Sequence, residues 1–156
     1  VDFPWRKNFI DGNQDAGACM RILFITNVTD FYITREPLGL AYLSAAARQA
    51  GHDTRFCGVH EAEYLPALYE FGPDVIAYSI ATGQHRLFFD LNLHLKSKFK
   101  FLAVFGGPHA TFWPQVVEEP GVDAICRGEG EEAFVQFLSR YEKGEDYENT
   151  QNWWVK

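Results

Sequence analysis

Three short stretches of this chain gather residues that could do chemistry: SIATG (79–83), GGPH (106–109) and RGEGEE (127–132). Together they hold the hydroxyls of Ser79 and Thr82, the imidazole of His109, the carboxylates of Glu129 and Glu131, and five glycines. A histidine titrates near neutral pH and could move a proton. No acid–base partner stands beside His109 in sequence, so it reads rather as a hydrogen-bonding residue that shapes its loop or contacts a ligand amide. The glycines have two explanations. They make turns that only glycine can make, or they clear side chains from a platform so that something large can lie against the backbone.

Other chemistries are excluded on local grounds. The loop NVTDFYITREPLG, which follows the first apolar run, has no G-x-G-x-x-G fingerprint, and no G-x-x-x-x-G-K-[ST] occurs. A phospho-acceptor receiver would end its third strand in aspartate, where this chain has Ser79. Cys19, Cys57 and Cys126 are far apart and form no C-x-x-C pair or disulfide framework. Cys57 and Cys126 read as small apolar residues at strand ends. His52, His60, His85 and His94 lack metal-ligand spacing and read as surface residues. Net charge is −7 with no basic block, which argues against a nucleic-acid partner. No apolar run approaches the roughly 18 residues of a spanning helix, and no secretory signal is evident. A reducing cytoplasm is the expected compartment.

The elements that must position these residues alternate along the chain. RILFITN (21–27), DVIAYSI (74–80) and FLAVF (101–105) read as buried strands, HDTRFCG (52–58) as a more polar edge strand, and VDAIC (122–126) as a fifth. Helices are predicted at 37–51, with Pro37 at its first position and Leu40, Leu43, Ala47 and Ala50 facing the sheet, and at 61–72 and 84–99. A short helix is predicted around 112–119 and a strongly amphipathic one at 131–144. Five strands alternating with helices imply an α/β, flavodoxin-like, doubly wound parallel sheet of order 2-1-3-4-5. Residues 1–19 are polar and aperiodic. They read as an added leader before a natural start at Met20, or as a genuine tail.

In such a sheet Gly51, Gly72, Gly121 and Gly144 follow helices and act as helix stops. The remaining rim glycines follow strands 3, 4 and 5, at the edge where open α/β sheets bind ligands. Turn geometry explains any one pair, but three adjacent loops together favour ligand contact. With hydroxyls and bare amides but few charges, that rim suits a large, nearly neutral ligand better than a polyphosphate.

The segments PLGLAYLSAAARQAGH, FGPDVIAYSIATG, VFGGPHATFWPQVVEEPGVDAICRGEGEEAF and NWWVK resemble the N-terminal cobalamin-binding domain of cobalamin-dependent radical SAM enzymes over residues 20–156. The resemblance implies that Ser79, Thr82, Gly83, Gly106, Gly107, Pro108, His109, Gly128, Glu129 and Gly130 surround a corrinoid cofactor. It implies that the chain alone has no catalytic or metal-ligating residue. The loop after strand 1 lacks the histidine of D-x-H-x-x-G domains, so a base-off cobalamin without a histidine ligand is expected, with Phe31, Tyr32 or Arg35 facing the lower side of the cobalt. The C-x-x-x-C-x-x-C run that would hold an iron–sulfur cluster and S-adenosylmethionine is not in this chain. The expectation is a module cut before a C-terminal radical SAM domain, whose parent transfers methyl groups or performs oxidative ring closure, as in magnesium-protoporphyrin monomethyl ester cyclases. Trp153 and Trp154 would clamp substrate, or pack the chain exit and the next domain. The competing readings are a degenerate Rossmann-like domain without cofactor and a flavin or nucleotide-sugar domain. A bulky residue at Gly107 is expected to abolish corrin retention and leave the fold intact.

Overall fold

The computed structural model describes residues 19–27 and 38–156. Its strands are β1 (Arg21–Thr26), β2 (Asp53–Gly58), β3 (Val75–Ser79), β4 (Leu102–Gly106), β5 (Ala124–Cys126) and β6 (Trp153–Val155). The helices are α1 (Leu38–Gln49), α2 (Glu61–Phe71), α3 (His85–Lys96), α4 (Pro108–Phe112) and α5 (Glu131–Lys143). The sheet order is β2-β1-β3-β4-β5-β6, parallel throughout except for β6, which pairs antiparallel with β5. The predicted order of β1 to β5 is present, with β2 at the edge. The sequence reading stopped at five strands; the sixth is the NWWVK segment.

The central strands are apolar on both sides because both faces are covered. Leu23, Ile25, Ile76, Tyr78, Ala103, Phe105 and Ile125 pack in one core with residues of α2 and α3. Their alternates, Ile22, Phe24, Val75, Ala77, Val104, Ala124 and Cys126, pack with α1 and α5. This period of two fixes which face each rim residue belongs to.

Polar clamps close the amino-terminal rim of the sheet. Asp74 accepts the Arg21 backbone N–H at 2.8 Å and pairs with its guanidinium at 3.3 Å. Asp123 accepts the Ala103 N–H at 2.7 Å and pairs with Lys96. The carboxyl-terminal rim has no such carboxylate clamp between strands among the described residues, which leaves it open for another use.

Several local readings are corrected. On α1 the buried residues are Leu40, Ser44 and Ala47, whereas Ala50 is exposed. Ser44 is tolerated there because its hydroxyl lies 2.7 Å from that of Thr54, to which Arg48 also donates at 2.6 Å. His52 is buried rather than on the surface, and its Nδ1 accepts the Met20 N–H at 3.3 Å. The helix expected near 112–119 is α4 followed by a 3-10 turn at Pro114–Glu118, since Pro114 cannot continue α4. Pro37, Phe31, Tyr32 and Arg35 lie outside the described residues, as does the leader up to residue 18.

Candidate functional site

The carboxyl ends of β3, β4 and β5 open into a groove of about 160 Å³ between the amino-terminal turns of α1 and α5. Its floor is Ala77, Val104 and Cys126; its walls include Leu40 and Leu43 on one side and Phe134 and Trp153 on the other. Of the sequence-predicted residues, Ser79, Gly106, Gly107, Gly128, Glu129 and Gly130 line it. Thr82, Gly83, Pro108 and His109 do not. They form the adjoining part of the rim, Thr82 and Gly83 in the loop after β3 and Pro108 and His109 in the first turn of α4.

The glycines divide by physical cause. Gly107 has φ 90°, and an added Cβ would lie 2.8 Å from Ser79 Oγ and 2.9 Å from the Ile80 carbonyl oxygen. Here the bareness serves the protein itself: Ile80 donates to the Gly106 carbonyl at 2.9 Å and accepts from the His109 N–H at 3.0 Å, so the chain turns tightly around Gly107. A bulky residue at Gly107 would therefore disturb the fold, and the expectation that it leaves the fold intact is corrected. Gly130 yields to the Leu43 side chain, which would stand 3.1 Å from an added Cβ. Gly106 is different. It is not at positive φ, and among the described residues an added Cβ would meet nothing closer than the Cys126 carbonyl oxygen at 3.8 Å. Gly39, in the first turn of α1, likewise has no described atom within 4 Å of an added Cβ. Among the described residues, neither of these two glycines has an internal packing reason to be bare.

Gly39 was missed by sequence reasoning, although it carried a signal. A glycine inside a predicted helix costs about 1 kcal/mol relative to alanine, and this one is not a cap. The groove's apolar walls carried no distinguishing signal, because Leu43, Phe134 and Trp153 look like any core residues until the helices are placed.

The polar part of the rim is cross-tied. The Thr82 hydroxyl lies 2.9 Å from His109 Nδ1, and the His109 ring stacks on His85 at 4.0 Å. His85 Nδ1 accepts the Gly83 N–H at 3.3 Å, so His85 is half-buried in the rim rather than a free surface group. Burial lowers the His109 pKa, helped by the nearby charges of His85 and Arg86, so its imidazole is neutral at pH 7. Thr111 ties α4 to the next loop: its hydroxyl accepts the Gly128 N–H at 3.0 Å and its carbonyl accepts from Arg127 Nε at 3.2 Å. At the groove floor, burial and then Glu131 push the Cys126 thiol up to about 11. That thiol is protonated at neutral pH and is a poor nucleophile. Among the described residues no group of three His, Cys, Asp or Glu is placed to hold a metal, and no helix is long and apolar enough to cross a membrane.

The family model of the B12 binding domain matches residues 26–138. An uncharacterized methyltransferase of Pyrococcus horikoshii is 30% identical over 141 residues, which span 81% of this chain and 30% of that protein. The anaerobic magnesium-protoporphyrin IX monomethyl ester cyclase of Cereibacter sphaeroides is 36% identical over 115 residues, spanning 68% of this chain and 19% of the cyclase. Among solved structures, the radical S-adenosylmethionine methyltransferase TsrM of Kitasatospora setae, with cobalamin and an iron–sulfur cluster bound, superposes with a TM-score of 0.73. Its identity to this chain is 14%, with coverage of 87% of this chain and 27% of TsrM, so the likeness is one of fold. The chain thus spans less than a third of the length of these relatives.

Proposed function

The chain belongs to the B12-binding domain family, and on that premise we propose that it is the cobalamin-holding module of a longer radical SAM enzyme. The observation that carries the reading is the groove with a bare edge. Gly106 and Gly39 leave space that no described packing uses, at the strand ends where α/β sheets take ligands.

The residues fit the group. A cavity of about 150 Å³ lined by apolar side chains takes a single aromatic ring. A groove of about 160 Å³ that is open to one side would therefore take one ring of the fused two-ring base of the nucleotide tail, flanked by Leu40, Leu43, Phe134 and Trp153. The corrin is too large for it and would lie across the rim, over Gly106, Thr82, Gly83, Pro108 and His109. Ser79, Thr82 and the first amides of α5 offer donors to its amide and phosphate oxygens. Gly128, Glu129 and Gly130 border the same edge. When bound, cobalamin supplies the carbon- or electron-transfer chemistry, and this domain orients it. With the base in the groove, the cofactor would be held base-off; the loop between β1 and α1 contains no histidine to replace it. The remainder of the protein would supply the iron–sulfur cluster and S-adenosylmethionine, for methyl transfer or oxidative cyclisation.

The test is to mix the pure protein with hydroxocobalamin, desalt it and record the visible spectrum. Retained corrin absorbance is expected. A folded protein that elutes colourless would mark a domain that has lost the cofactor, and a yellow preparation would indicate a flavin. A nitrogen splitting in the paramagnetic resonance spectrum of the Co(II) form would contradict the base-off assignment.

A further inference from the structure

The loop between β5 and α5, residues Arg127 to Gly130, forms one border of the groove and contains two glycines, which lose much conformational entropy on ordering. It is held from outside by the end of the chain. The Arg127 N–H donates to the Asn152 carbonyl at 2.9 Å, and the Asn152 side-chain amide donates back to the Glu129 carbonyl at 3.0 Å. The Arg127 guanidinium sits 4.8 Å over the Trp154 ring while its Nε reaches the Thr111 carbonyl. Between Asn152 and Trp154, Trp153 is anchored by its Nε1–H to the Ala133 carbonyl at 2.9 Å and stacks on Phe137 at 4.0 Å. Asn152 is the one described non-glycine residue at positive φ, 68°. Asparagine tolerates that conformation better than most residues, and a backbone held there is fixed by its surroundings.

We infer that Arg127 and Asn152 are positioning residues, and that β6 is a strap that fixes the β5–α5 loop as a wall of the ligand groove. Neither residue lines the groove; they act through Gly128, Glu129 and Gly130, which do. The link to a corrin rests on the function proposed above. The mechanical part does not, so the two can fail separately.

The experiment compares Asn152→Gly, Arg127→Gln and Arg127→Lys with the unaltered chain. Asn152→Gly permits the left-handed backbone conformation and removes the side-chain amide donor. Hydrogen exchange is read at the Arg127 and Gly128 amides, with β1 and β3 amides as the internal reference. Loss of one hydrogen bond should speed exchange at those two sites roughly five-fold or more and leave the reference amides unchanged. Hydroxocobalamin titration should show a dissociation constant raised by about the same factor, with Arg127→Lys closer to the unaltered chain than Arg127→Gln. Unchanged exchange in Asn152→Gly and Arg127→Gln would overturn the strap. So would a loosened loop with unaltered corrin affinity, since the loop would then be no part of the wall. If the unaltered chain takes up no hydroxocobalamin, the cofactor reading fails, and the exchange data alone decide whether the strap holds the loop.

Discussion

Gly106 offers a clean separation of folding from binding. An alanine Cβ there would meet the Cys126 carbonyl oxygen at 3.8 Å and the Cys126 Cβ at 3.9 Å, which are ordinary contacts. The backbone is not in the left-handed region, so Gly106→Ala introduces no strain. Removing a glycine from a strand end should gain about 0.5–1 kcal/mol by restricting the unfolded chain. For a chain of this size that is a rise in melting temperature of about 1–4 °C. The same methyl group enters the space where the ligand would lie. Overpacking by one methyl costs about 1–3 kcal/mol, which corresponds to about 5- to 150-fold weaker binding. Gly106→Leu should abolish binding. The assay pairs thermal unfolding without ligand with a hydroxocobalamin titration followed by absorbance. Gly107→Ala is the contrast, destabilised before any ligand is added because its Cβ meets Ser79 Oγ and the Ile80 backbone. If Gly106→Ala and Gly106→Leu fold and still bind as tightly as the unaltered chain, the bare edge at Gly106 is not a ligand contact and the reasoning is refuted.

Other consequences follow from the same geometry. The folded-state pKa of His109 lies below the ordinary 6.5, as does that of His52; the unfolded chain therefore binds more protons in that window, so stability should be full above pH 6.5 and decline as pH falls through the folded values. Histidine ring titration by NMR should show both midpoints below 6.5, and His109→Gln should flatten the acid slope of the melting temperature without removing it, since His52 remains. Iodoacetamide at pH 8 should label the exposed Cys19 and spare Cys57 and Cys126, whose thiols are pushed up to about 12 and about 11, chiefly by burial; mass spectrometry showing rapid labelling of Cys126 would contradict the closed floor. Trp153→Ala should cost about 3–5 kcal/mol in urea unfolding, because the ring is buried against Phe134 and Phe137; a loss under 1 kcal/mol would mean that β6 is only loosely docked.

The sequence by itself determined the alternation of strand and helix, the order of β1 to β5 and the rim to which Gly83, Gly106, Gly107, Gly128 and Gly130 belong. These follow from local signals: apolar runs, helix stops and the handedness of crossover connections. It did not show β6, because three residues with two tryptophans carry no period until β5 presents an edge to pair with. Nor could it sort the glycines. Gly107 and Gly106 are neighbours of identical type, yet an added Cβ would press on the Ile80 backbone at one and meet only ordinary contacts among the described residues at the other. Only the tertiary structure decided that, since whether a missing Cβ is filled by the protein or left open depends on which distant segment packs beside it. The same holds for His52 and His85, alike as isolated polar residues, which folding placed under Met20 and against His109.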